Sequence, residues 1–406
     1  MNESPGDPPG SSLEPDRLEG APHPRKTGCL IGQDRAEQAF LEALRSGRLH
    51  HAWLIHGPRG VGKATLAWKI ARFLLSTPAD GPPRAGNAPA GADPGLFADD
   101  APPAPSPTDA RGSGGPVSLD QPSDTPLARR LLALSEPRLF LLRRPCDDRT
   151  GRPKQQITVD EVRRLKDFFA LSAVEGGRRV VIVDSADEMN TSAANALLKL
   201  LEEPPAGAVL LLVSHQPTRL LPTIRSRCRE LRCMPLGPDD LVRAMSAAGC
   251  PIESGEGTAL AALAAGSVGD ALRLAALGGL EAYQAITDLF RAREVDRARA
   301  LKLAESAAGS GAGERLDLLL HLFDLFLSRL ARTGVSGPPL VEAADGEATL
   351  LSGLAPSPAA GRHWAALQQE LGARARRGRA VNLDPAALIL DMIFRIEETA
   401  AECAAR

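Results

Sequence analysis

The sequence predicts an α/β domain, a parallel sheet with helices on both faces built around a phosphate-binding loop, followed by a small helical domain and an all-α C-terminal domain. Three observations carry this. Segments such as "RRVVIVDSAD" (178–187) and "AVLLLVSH" (208–215) are continuous apolar runs, the pattern of strands buried on both faces. They alternate with segments whose apolar residues recur at helical spacing, the order that builds a parallel sheet. Beyond about Met234 the strands stop, and Ala/Leu-rich helical sequence fills the rest of the chain.

In chain order, residues 1–28 are rich in Pro, Gly and acids and nearly empty of large apolar side chains, so they read as a disordered tail. "AWLIHG" (52–57) is a short strand entering a glycine-rich turn, and "KATLAWKIARFLL" (63–75) is the helix after it. Residues 77–126 repeat the composition of the tail and read as a disordered insertion within the α/β domain, which spans 29–235. "PRLFLLRR" (137–144) is strand-like. "TVDEVRRLKDFFALSA" (158–173) opens with Thr158 and places Glu161 three residues on, the signature of a helix start. "TSAANALLKLLEEPP" (191–205) is a helix stopped by two prolines. A small helical domain is expected over 236–280 and a helical bundle over 281–406, interrupted by a Pro/Gly-rich gap near 334–361.

The 406 residues suffice for two or three packed domains. With 48 basic and 50 acidic residues, global charge favours neither a nucleic acid nor a membrane, so any DNA contact needs a local basic face. The six cysteines form no C-x-x-C pair, which predicts reduced thiols and no zinc site. No signal-peptide pattern and no apolar run of membrane-spanning length is present, so a cytoplasmic protein is expected.

The chemistry concentrates in three places. Gly57, Gly60, Gly62 and Lys63 give the spacing G-x-x-x-x-G-K after a strand and before a helix. Backbone amides there face phosphate oxygens and the lysine reaches the outer phosphates. The next position calls for a hydroxyl to ligate Mg²⁺ and holds Ala64; Thr65 lies about 100° further round the helix and cannot replace it. The second place is the end of "VVIVDSAD", where Asp184 fits a metal-associated acid but Ser185 stands where a hydrolase needs a water-polarising glutamate. The third is "LLPTIRSRCREL" (220–231), which puts Arg225 and Arg227 near a domain surface. His50 and His51 read as packing or capping groups, Trp53 and Trp68 as core, and the basic run "RARRGR" (374–379) as a solvated helix end.

Together, "LIGQ" (30–33), "GRLHHAWLIHGPRGVGKATLA" (47–67), "VVIVDSADEMNTSAANALLKLLEEPP" (180–205), "RLLPTIRSRC" (219–228), "AAGSVGDALRL" (264–274) and "NLDPAALILDMIFRIEE" (382–398) resemble the AAA+ clamp-loader family. The resemblance implies an AAA+ domain, a helical lid and a C-terminal collar in a five-membered ring that places a sliding clamp on primed DNA. Implied partners are the motor (gamma/tau) and delta subunits of DNA polymerase III, with clamp and DNA reached through the complex and no membrane. It gives the Ser226, Arg227, Cys228 motif the task of presenting Arg227 to ATP held by a neighbouring motor subunit. In the motor subunits a sensor arginine stands where this chain has Gly269. Ala64, Ser185 and Gly269 therefore point to a non-hydrolysing member, with weak, metal-poor ATP or ADP binding or a purely structural loop both open. The alternative is a catalytically competent motor subunit. Some relatives carry a four-cysteine zinc module after the loop helix; the cysteine-free insertion occupies that place here, so zinc is not expected.

Overall fold

A computed structural model describes residue 14 and residues 22–47, 49–77, 116–147, 153–171, 177–252, 254–292, 294–308 and 312–404. The chain forms two compact units. Among the described residues, the first comprises His23–Gly57 and Gly62–Cys233, and the second comprises Pro58–Val61 and the chain from Met234 onward.

The first unit is built on five parallel strands, β1 (Ala52–His56), β2 (Leu139–Arg143), β3 (Arg179–Asp184), β4 (Ala208–Ser214) and β5 (Arg229–Arg232), in the order β2-β3-β4-β1-β5. Around them run α1 (Asp34–Arg45), α2 (Lys63–Ser76), α3 (Pro126–Leu132), α4 (Val159–Leu171), α5 (Thr191–Glu202) and the single turn α6 (Pro222–Arg225). Strand side chains alternate between faces. On one face Ala52, Leu54, Val181, Val183, Leu210 and Leu212 form a core with Val162 and Leu165 of α4 and Leu197 and Leu201 of α5. The helix after the loop, α2, packs against β1, β3 and β4 and buries Leu66, Ile70 and Leu74. Every residue of β4 is buried, because a strand between two parallel neighbours and two helical layers has no face left for solvent.

Strand β5 is absent from the sequence reading. Its four residues, Arg-Glu-Leu-Arg, bury only Leu231, which suits an edge strand held by backbone pairing with β1. Two compositional expectations need correction at their margins. Within the stretch read as a tail, His23 is buried and meets Trp68 edge-on, and Pro24–Lys26 forms a 3-10 helix capped by the His23 ring. Within the stretch read as an insertion, Leu119 is buried, Asp120 pairs with Lys69 at 2.9 Å, and Thr125 caps α3. A few apolar or capping residues at the edge of a polar segment suffice to anchor it. Most of residues 1–21 and residues 78–115 lie outside the described residues.

The second unit is helical: α7 (Pro238–Ala247), α8 (Ser254–Ala264), α9 (Val268–Ala276), α10 (Gly279–Leu289), α11 (Arg297–Glu305), α12 (Ala312–Ser336), α13 (Glu347–Leu354), α14 (Pro358–Ala380) and α15 (Pro385–Ala404). Helices α7, α8 and α9 pack on one another, α10 touches α8, α9 and α12, and α12 lies along α14. The Pro/Gly-rich gap near 334–361 contains α13. Its Glu347 is fully buried, accepts from the Tyr283 hydroxyl (2.7 Å), Arg329 Nη2 (2.9 Å) and the Ala343 amide (2.7 Å), and ties the gap to the bundle. Burial and the Glu347 charge push the Tyr283 hydroxyl far above its ordinary pKa, so it remains a donor. Among the described residues no single helix is long and apolar enough to cross a membrane; the bent apolar pair α8–α9 buries Leu260, Leu263 and Leu274 within its own unit.

Candidate functional site

The phosphate-type loop leaves β1 at Gly57 and re-enters helix at Lys63. Gly57 has φ +151°, and a Cβ there would lie 2.3 Å from the carbonyl oxygen of Cys233, so the loop can start only with glycine. Gly60 (φ +69°) turns the tip, and Gly62 (φ +97°) is the N-cap of α2, in a left-handed conformation with no side-chain cap. The leading amides of this 14-residue helix thus have no capping side chain from Gly62, and the helix dipole adds partial positive charge. Lys63 is the first helical residue and is 3% exposed. Burial pushes the neighbouring Cys233 thiol up to about 11, opposed by the Lys63 charge. Ala64 and Thr65 follow on α2, both partly buried. In the second unit, which includes the loop tip, the Gly269 amide donates to the Gly60 carbonyl at 3.2 Å, at the start of α9.

Strand register sets the rest of this edge. His56 pairs with Ser214 and Asp184 with Val213, so the carboxyl ends of β1, β4 and β3 are level. That is the edge at which open parallel sheets receive ligands. Asp184 and Ser185 are both buried, at 9% and 5% exposure. The Ser185 hydroxyl donates to Asp184 Oδ1 at 3.1 Å, and His215 Nε2 lies 3.0 Å from the Ser185 Oγ. With the serine hydrogen given to the carboxylate, the imidazole is the donor in the second bond. The His215 amide in turn donates to Asp187 Oδ1 at 2.9 Å. This chain of bonds holds Ser185 as a hydrogen-bond relay, and position 185 itself supplies no carboxylate to polarise a water.

The Ser226, Arg227, Cys228 group is at the other end of the sheet. Helix α5 starts at its Asn190 cap, just past the carboxyl end of β3, and runs 12 residues, about 18 Å, to Glu202 before β4 begins. At that far end His51, the residue before β1, meets the Leu201 carbonyl at 3.0 Å. Arg227, which precedes β5, contacts this end of α5: its Nη2 lies 2.9 Å from Glu202 Oε1, and its Nη1 donates to the Thr223 carbonyl at 3.0 Å. Ser226 is exposed and also donates to Thr223, at 3.2 Å. Cys228 packs on the core face of the sheet, and burial pushes its thiol up to about 12, so it anchors the loop as an apolar group.

The structure therefore gathers Gly57, Gly62, Lys63 and Asp184 at the carboxyl edge of the sheet and puts Ser226, Arg227 and Cys228 at the amino edge. Sequence reasoning missed Glu202, Thr223 and His215. Glu202 lay within the "LLEEPP" stretch, but only the fold brings it to Arg227. His50 and His51 are stacked at 4.5 Å, and Trp53 and Trp68 are buried, consistent with packing roles. In the basic run, Arg374 pairs with Asp391 and Arg379 with Asp317.

Residues 130–237, from α3 to just past β5, match the family model described as DNA polymerase III, delta subunit. The DNA polymerase III subunit delta' of Pseudomonas aeruginosa is 36% identical over 200 residues, 48% of this chain and 47% of that protein. The delta' subunit of Escherichia coli is 29% identical over 192 residues, 47% of this chain and 45% of that protein. The gamma/tau subunit of Mycobacterium tuberculosis is 32% identical over 199 residues, 49% of this chain and 27% of that protein. The chain thus spans about half the length of the delta' relatives it matches. Over the part that aligns, this chain is similar to subunits of DNA polymerase III, with delta' subunits recurring among its relatives.

Proposed function

We propose that this chain acts as a delta'-type subunit of a DNA polymerase III clamp loader: it hydrolyses little or no ATP itself and supplies Arg227 to ATP bound by a neighbouring motor subunit. The observation that supports the reading is the position of Arg227 at the amino edge of the sheet, the edge opposite the one that carries the chain's own loop. An arginine brought across an interface stabilises charge on the transferring phosphoryl group, worth about 10³ to 10⁵ in rate in other nucleotide hydrolases. Ser226 and Cys228 support it, one at the turn and one in the core.

The chain's own pocket argues the same way. Gly57, Gly60, Gly62 and Lys63 would hold phosphate oxygens, with Thr65 on the following turn, while Ala64 offers a methyl where a hydroxyl would join Asp184 in holding Mg²⁺. Ser185, bonded to Asp184 and His215, is no general base near neutral pH. A degenerate site that binds ATP or ADP weakly fits these residues, and zinc has no part in the reading. Partners would be gamma/tau and delta subunits, with the sliding clamp and primed DNA engaged through the assembly in the cytoplasm.

A second reading, a competent motor subunit, is favoured by the 32% identity to a gamma/tau subunit. Two measurements separate them. The purified chain should show ATPase at background level, and Arg227→Ala should cut hydrolysis by the reconstituted assembly at least a hundredfold. Magnesium-dependent turnover by the lone chain would favour the motor reading, and an unchanged assembly rate would remove Arg227 from catalysis.

A further inference from the structure

Arg227 does not stand open in this structure. One terminal nitrogen, Nη2, lies 2.9 Å from Glu202 Oε1 and the other, Nη1, donates to the Thr223 carbonyl at 3.0 Å, so both ends of the guanidinium are engaged on its own subunit. The backbone here is fixed: Cys228 packs on the core, and the Ser226, Arg227 and Cys228 amides donate to Pro222, Ile224 and Arg225 carbonyls at 2.9 to 3.2 Å. What can move is the side chain, which is 37% exposed. We infer that Glu202 is a latch: its carboxylate parks the Arg227 guanidinium and must be exchanged for an anionic phosphate group before the arginine acts on a neighbour.

The inference rests on the trans role proposed for Arg227, and the chemistry of the exchange is simple. A guanidinium offers a fork of donors that fits carboxylate and phosphate alike, so the two anions compete for one cation. A carboxylate carries one negative charge and is exposed here, at 44%, so the parked pair is weak and yields to a triphosphate. Without a phosphate in reach the carboxylate wins, which keeps the cation from pairing elsewhere and sets a threshold for its release. Glu202 is thereby a positioning residue, acting only through Arg227. Its neighbour Glu203 caps the end of α5 through its backbone amide and is also exposed, which makes it a matched control.

The test is steady-state hydrolysis by the reconstituted assembly at subsaturating ATP, comparing wild type, Glu202→Gln, Glu203→Gln, Arg227→Ala and the double variant Glu202→Gln/Arg227→Ala. The latch predicts that Glu202→Gln raises kcat/KM about two- to fivefold, the scale of an exposed ion pair, that Glu203→Gln leaves it alone, and that the gain vanishes in the Arg227→Ala background. A collapse in Arg227→Ala with Glu202→Gln at or below wild type overturns the latch and leaves the arginine's role standing. A Glu202 effect that survives in the Arg227→Ala background overturns it as well, because the carboxylate would then act through the fold. If Arg227→Ala changes nothing, the trans role itself fails, and the latch with it.

Discussion

Single atoms decide much of what this protein can do. At Gly57 a Cβ would stand 2.3 Å from the backbone oxygen of Cys233, a residue whose own amide donates to the His56 carbonyl at 2.8 Å. Gly57→Ala should therefore lower unfolding stability by about 1–3 kcal/mol, read as a shift in the denaturation midpoint. Cys228 and Cys233 show how burial silences chemistry. With thiols raised to about 12 and 11, their thiolate fraction near neutral pH is negligible. A disulfide reagent should label exposed Cys29 in the folded protein and reach Cys228 and Cys233 only on unfolding, which mass spectrometry of labelled peptides would resolve. In the second unit, Glu347 is fully buried and paired with Arg329, itself 9% exposed. Removing one partner of such a pair strands the other charge, so Glu347→Ala should cost about 3–5 kcal/mol.

Elements set where those residues meet. Helix α5 is apolar on the face that buries Ala193, Leu197 and Leu201 and stops before Pro204, and its length puts Glu202 at the opposite sheet edge from Asp184. Helices α12 and α14 cross where Gly334 and Gly361 face each other: a Cβ on Gly334 would stand 2.7 Å from the Gly361 Cα. Backbones that close leave no space for a methyl, so Gly334→Ala should push the helices apart and lower the thermal midpoint, while Gly353→Ala, on open surface, should not. Most of both helices falls in sequence read as helical from its Ala/Leu-rich composition, while Gly334 and Gly361 stand at the limits of the stretch read as a Pro/Gly-rich gap. Which face of each meets the other was not legible, because glycines beside prolines read as a break in helix and only the packing shows them to be a contact.

Across the whole molecule, pH should act through half-buried imidazoles. Burial lowers His51, with the charge of His50 adding to it, and burial lowers His56 against the opposing pull of Glu230. The folded values lie below the ordinary value near 6.5, so the unfolded chain binds more protons in that range. Their contribution is complete above about pH 6.5 and is lost as pH falls through the depressed folded values. Unfolding free energy should decline from pH 7 towards pH 5, and His51→Gln should flatten the slope, measured by denaturant titrations at each pH.

How much was readable depended on whether neighbours in sequence or neighbours in space carried the information. Periodicity, composition and local spacing determined four of the five strands, the loop and its helix, and the change to helix beyond Met234. Each follows from interactions within a few residues. The same locality exposed Ala64 and Ser185 as departures, since one position in a fixed motif can be compared with what the chemistry there requires. Only tertiary structure decided that Arg227 sits a helix length from its own loop, that Glu202 and Thr223 hold it, that His215 closes on Ser185, and that "RELR" is a strand. Those outcomes come from pairings between residues distant in the chain, and an edge strand or an ion pair leaves no periodic trace in the sequence from which to read it.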